Sequence, residues 1–88
     1  MKKITIIGSD LCPDCLATKE YFSKNNIDYD FVEITESLQN LKAFITLRDK
    51  RAEFDSIKKE GKIGIPVIIT EDSDNLIFDV KPDLSKFK

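Results

Sequence analysis

Cys12 and Cys15 stand three positions apart in a chain of 88 residues that has no other cysteine and no histidine. Two thiols at this spacing suit disulfide exchange, in which one thiolate attacks a disulfide sulfur and a second thiol resolves the mixed disulfide. A structural staple is the poorer reading, because a bridge between such near neighbours closes a tiny loop and gains little chain entropy. Adjacent cysteines without wider pairing point to redox chemistry or to metal.

The chemistry depends on what positions the two sulfurs. Gly8, Ser9 and Asp10 break an apolar run, and Pro13 suits the first turn of a helix, where a missing N–H goes unnoticed. Cys12 then lies at the helix entrance, where unpaired N–H groups and the positive end of the macrodipole favour a thiolate by about 0.3–2 kcal/mol. Cys15 lies one turn in and more buried. Cys12 is therefore the expected nucleophile and Cys15 the resolving thiol. Asp10 and Asp14 oppose the thiolate, so the expected couple is more reducing than one with an aromatic or basic residue between the cysteines.

Other readings of the pair stay open. Two inert, buried cysteines on one helix are opposed by Pro13 and the loop before it, which mark a helix end. A zinc site needs four ligands, so carboxylates or a second chain must complete it. An iron–sulfur cluster bridged between two chains meets the same arithmetic. A scaffold that binds a partner, with its redox chemistry incidental, is a further possibility.

Around the cysteines the chain reads as alternating strands and helices. Residues 3–7 form a short apolar strand suited to burial on both faces. A helix runs from Pro13 to about Lys24, with Cys15, Thr18 and Phe22 on one side and Asn25 and Asn26 as a left-handed stop. Residues 29–34 make a second strand, parallel to the first through the βαβ crossover. Ser37 caps a second helix with an apolar face of Leu38, Leu41, Phe44 and Ile45. Residues 47–59 continue as helix after a break near 49–51, with Ala52, Phe54 and Ile57 toward the core and Gly61 just past the end. Residues 67–70 form a third strand, 71–75 a polar turn, and 76–78 a fourth strand hairpin-paired with the third. The tail from Asp79 allows about one helical turn around Asp83, Leu84 and Phe87.

A charged share of 34% with a net charge of only -2 fits a soluble globular chain. The slight acidity argues against a nucleic-acid partner. No apolar span is long enough for a membrane helix. The apolar stretch after Lys2 and Lys3 ends at Gly8, too short for a secretion signal, so it reads as a first strand in a cytoplasmic protein. The expectation is one domain over 1–88, working as a monomer.

Cys12-Pro13-Asp14-Cys15 after a strand, with Ile65-Pro66 leading into a later one, resembles the glutaredoxins, and the order of elements agrees along nearly the whole chain. Thr18-Lys19 and the Asn26-Ile27 turn fit the same pattern. The resemblance implies an α/β, thioredoxin-like fold: a β-α-β-α-β-β core, a mixed four-stranded sheet and a short or truncated C-terminal helix. It implies a cis Ile65-Pro66 bond beside Cys12 and a dithiol–disulfide oxidoreductase. Substrates would be disulfide-bearing proteins or small molecules. No cofactor would be bound, and glutathione or a thioredoxin-reductase-type flavoenzyme would be the reductant. The implied substrate-binding residues are Pro13, Asp14, Ile65, Pro66, Val80 and Asp83.

The chain also departs from the family pattern. Ser9 stands where many members have Lys, Asp14 where many have Tyr, and Gly64 where Thr is usual. Asp79 and Val80 stand near the place of a Gly-Gly pair, and Pro82 removes an N–H from the turn that holds glutathione. Residues 47–60 are longer than usual and carry Arg48, Lys50, Arg51, Lys58 and Lys59 among Glu53, Asp55 and Glu60. This segment reads as a solvated helix of mixed-sign pairs or, more sharply, as a basic edge that steers an anionic substrate.

Overall fold

The structure is a computed structural model and describes residues 4–70 and 76–83. Four strands form one mixed sheet: β1 (Ile4–Gly8), β2 (Asp30–Glu33), β3 (Val67–Thr70) and β4 (Leu76–Ile77). Their order is β2-β1-β3-β4. β1 pairs in parallel with β2, Ile6 facing Phe31, and antiparallel with β3, Ile6 facing Ile68. β3 pairs antiparallel with β4. The parallel pair follows from the helical crossover between β1 and β2.

Helix α1 (Pro13–Lys24) covers one face and buries Cys15, Thr18 and Phe22. Ile4, Ile6 and Ile68 meet Phe22 there, with Tyr21, Ile27, Tyr29, Phe31 and Ile77 around them. α2 (Leu38–Lys50), a 3-10 turn (Ala52–Phe54) and α3 (Asp55–Lys59) cover the other. On that side Ile7, Ile34, Phe44, Phe54 and Val67 form the core. Alternate residues of β1 thus serve different layers, as the period of two in a strand requires.

Local signals explain the helix ends. Pro13 opens α1, and Asn26 adopts φ 58° just past it, a conformation that asparagine tolerates better than most residues. Ser37 Oγ accepts the Asn40 N–H at 3.1 Å to cap α2. Gly61 takes φ 75° after α3.

Two sequence expectations need correction on the α2 face. Leu38 is 76% exposed and Ile45 45% exposed; the packed stripe is Leu41, Phe44 and Leu47. Leu38 lies in the first turn, and Ile45 lies about 100° around the helix from Phe44. Ala52 is also exposed, whereas Phe54 is fully buried and Ile57 packs against the same core. The turn expected over 71–75 and the C-terminal helical turn beyond Asp83 lie outside the described residues.

Candidate active site

β1 runs straight toward the cysteines. Behind its last residue, Gly8, lies the sulfur of Cys15: a methyl on Gly8 would stand 2.5 Å from Cys15 Sγ. The chain then turns through Ser9, whose carbonyl accepts the Cys12 N–H at 3.0 Å. Ser9 Oγ accepts the Leu11 N–H at 3.1 Å. The end of β2 holds this turn from the side. Glu33 Oε1 accepts the Asp10 N–H at 2.6 Å, and its other oxygen accepts from the Thr35 hydroxyl and N–H. These donors hold the Glu33 carboxyl down at about 2, the Thr35 hydroxyl contributing most.

Cys12 is the N-cap residue of α1 and its side chain makes no capping bond. Its carbonyl takes the N–H groups of Cys15 (3.1 Å) and Leu16 (3.2 Å). The Cys12 sulfur is therefore left at the positive end of the helix with no capping duty. Cys15 is fully buried. Burial pushes its thiol up to about 12; the Ser9 N–H pulls the other way, while Cys12 and the Asp14 charge add to the rise. The two thiols are both free and differ in kind: Cys12 partly exposed, Cys15 buried.

Asp10, expected to bear on the thiolate, is paired with Lys19 at 2.7 Å. The Lys19 ammonium also lies 4.1 Å from the centre of the Phe31 ring. Much of the Asp10 charge is thus answered locally, and Asp14 is left as the carboxylate nearest the cysteines in the helix.

Cys12 opens into a groove of about 590 Å³. One wall is Asp14, Phe78 and Val80. The other is Ile57 with the loop from Glu60 to Pro66. The Ile65–Pro66 peptide bond is cis. Cys12, Asp14, Ile65, Pro66 and Val80, all singled out from the sequence, line this one groove. Pro13 is exposed at the helix start and does not line it. Asp83 is exposed and also lies off the groove. The reason is the path of the chain: the Thr18 hydroxyl donates to Val80 O (2.6 Å) and the Tyr21 hydroxyl to Pro82 O (3.1 Å). Tyr21 is about 13 Å along the helix axis from Cys12, so the segment runs away from the sulfur.

The loop wall has its own supports, which sequence reading missed. Arg48 donates to the carbonyls of Lys62 (2.8 Å) and Ile63 (3.0 Å). Gly64 sits at φ 99°, and a Cβ there would lie 2.8 Å from Phe54 Cε1. The Phe54 ring meets Phe44 and Phe78 edge-on, at centroid distances of 5.9 and 5.1 Å. A larger residue at 64 is therefore disfavoured twice, by the backbone conformation and by the Phe54 ring beneath it. Arg51 pairs with Glu53 at 2.7 Å and Lys58 with Asp55 at 3.8 Å. Arg48, Arg51 and Lys58 thus make a backbone strap and mixed-sign pairs, and none of the five basic residues of 47–60 lines the groove.

Among the described residues, no group of three or more His, Cys, Asp or Glu side chains could hold a metal ion. No helix among them is long and apolar enough to cross a membrane.

Comparison with known proteins agrees with the geometry. A family model described as Glutaredoxin matches residues 4–73. An uncharacterized protein of Haemophilus influenzae (strain KW20) is 41% identical over 88 residues, covering 100% of this chain and 96% of that one. No solved structure matches the chain significantly. With its paired thiols at the entrance of α1, its mixed four-stranded sheet and a family match along most of its length, the chain belongs to the glutaredoxin family, whose general role is thiol redox chemistry.

Proposed function

We propose that the protein is a dithiol–disulfide oxidoreductase that reduces protein or glutathione mixed disulfides through Cys12 and Cys15. The Cys12 thiolate attacks one sulfur of the substrate. A Cys12–substrate disulfide forms and the other substrate sulfur departs as a thiolate. Cys15 then loses its proton to solvent or to the departing group and attacks Cys12 Sγ. The second substrate thiol leaves, and a Cys12–Cys15 disulfide remains. Two electrons have passed from the dithiol to the substrate. Two molecules of glutathione, oxidised to their disulfide, restore the dithiol; a flavoenzyme of the thioredoxin-reductase type is the alternative donor. Both thiols belong to one chain, so the cycle needs no second copy. A dithiol used as a reductant suits a reducing compartment such as the cytoplasm.

The observation that carries this reading is the asymmetry of the two sulfurs. Cys12 faces a groove at a helix N-terminus, and Cys15 is buried with its thiol pushed up to about 12. Attack needs a reachable thiolate, and resolution needs a thiol kept protonated and out of reach of other disulfides until the mixed disulfide has formed.

The test is NADPH consumption with a small mixed disulfide, glutathione and glutathione reductase, run beside Cys12→Ser and Cys15→Ser. Activity should vanish in the first variant. The second, mixed with the disulfide in the absence of glutathione, should accumulate a mixed disulfide on Cys12, visible as a mass increase. Inactivity of the wild type with both glutathione and thioredoxin reductase as donors would defeat the proposal.

A further inference from the structure

The chemistry of the groove bears on which disulfides enter it. Besides Cys12, its ionisable lining among the described residues is Asp14, Glu60 and Lys62. Lys62 lies 3.5 Å from Glu60, so that pair is close to neutral. Asp14 has no cation against it among the described residues. Arg48, Lys58 and Lys81 are engaged elsewhere. Arg48 holds the carbonyls of Lys62 and Ile63. Lys58 faces Asp55, and Lys81 lines a separate hollow with Glu20 and Lys24. The rest of the lining is largely apolar, with Ile63 on one wall 59% exposed. Leu11, next to Cys12, is 81% exposed.

Glutathione carries one more carboxylate than ammonium. A groove whose described Asp14, Glu60 and Lys62 side chains leave a surplus negative charge repels such a ligand. Resting on the oxidoreductase reading above, we infer that the preferred substrate of this site is an extended polypeptide segment whose disulfide-bonded cysteine is flanked by basic and apolar residues. A basic side chain faces Asp14, and an apolar one lies against Ile63. Glutathione then acts at most as a slower reductant. Charge complementarity of this kind acts mainly on encounter and on discrimination between partners.

Four probes test this: three synthetic peptides with cysteine flanked by Lys and Leu, Gln and Leu, or Glu and Leu, and glutathione. Each carries its cysteine as a mixed disulfide with mercaptoethanol. Pre-reduced protein in excess is mixed with each, and the released cysteine peptide or glutathione is followed by chromatography after acid quench over a single turnover, so that no auxiliary reductase enters. The Lys peptide should react about tenfold faster than the Glu peptide at low salt, roughly threefold for each unit of charge, with glutathione ranking beside the Glu peptide. Added salt at about 0.5 M should compress the spread to under about threefold. Asp14→Lys should reverse the order, and the salt series on the wild type stands without that variant. Equal rates, or a Glu peptide or glutathione that reacts fastest, would overturn the inference and leave the oxidoreductase reading intact. Failure to reduce any of the four, by protein whose thiols titrate as free, would overturn both.

Discussion

Gly8→Ala is the substitution with the most specific expected outcome. The added methyl would stand 2.5 Å from Cys15 Sγ, 3.3 Å from Cys15 Cβ and 3.5 Å from Phe31 Cε1. Heavy atoms in contact prefer about 3.5–4 Å, so the sulfur must move by about 1 Å, and Cys15 is fully buried. Overpacking of this kind costs about 1–3 kcal/mol. The reduced freedom of the unfolded chain returns about 0.4–1 kcal/mol. A net loss of about 1–2 kcal/mol follows, or a fall in Tm of roughly 5–15 °C for a chain of this size. The functional consequence is more selective. Attack by Cys12 does not require Cys15, whereas resolution requires Cys15 Sγ to approach Cys12 in line. A displacement of this size should slow resolution by about tenfold to a hundredfold. Rapid acid quench followed by mass spectrometry should show a long-lived Cys12 mixed disulfide in Gly8→Ala and little in the wild type. A variant with wild-type Tm and no accumulated intermediate would refute the packing argument.

Thr18→Val removes the hydroxyl that bonds Val80 O at 2.6 Å and also lies 3.1 Å from Asp14 O; urea titration should show a loss of about 1–3 kcal/mol, because a half-buried carbonyl loses its partner. Glu33 has its folded pKa depressed to about 2 from 4.5. Its stabilising contribution is therefore present above about pH 4.5 and lost as pH falls toward 2, and Glu33→Gln should flatten the acid side of the urea-midpoint profile. Arg48→Met removes both bonds to the loop wall; amide exchange of residues 61–65 should speed up by about threefold to tenfold, while exchange in β1 stays unchanged.

The parts of the fold that were legible in the sequence are those where a single residue type dictates local geometry. Pro13 marks the start of α1, Asn26 its stop, Ser37 the cap of α2 and Gly61 the end of α3. Short, nearly continuous runs of β-branched residues mark β1 and β3. Apolar periodicity was a weaker guide on α2. The helix contacts the sheet through a narrow stripe, so Leu38 and Ile45 satisfy the pattern yet stay exposed. The cysteines announced themselves by spacing, and five of the eight residues singled out line one groove. Gly8 did not announce itself, because a glycine after a strand reads as a chain breaker, and only the position of Cys15 Sγ reveals the second constraint. Arg48 and Glu33 were hidden for a related reason: each acts on backbone groups brought close by the fold, and a charged side chain carries no sign of that in its own neighbourhood of sequence.

The Phe54 ring beneath Gly64 links the long helical segment after α2 to the wall of the thiol groove. The two positions form a lock and its keyhole. A side chain at 64 would meet the Phe54 ring and, at φ 99°, would stay strained even over a smaller residue there, and shortening the 3-10 turn would leave a hollow under the loop that ends at Pro66. Loop grafting between this protein and shorter members of its family would therefore succeed only if both positions travelled together, and drift in a helix remote in sequence from Cys12 becomes a way to remodel what the thiol meets.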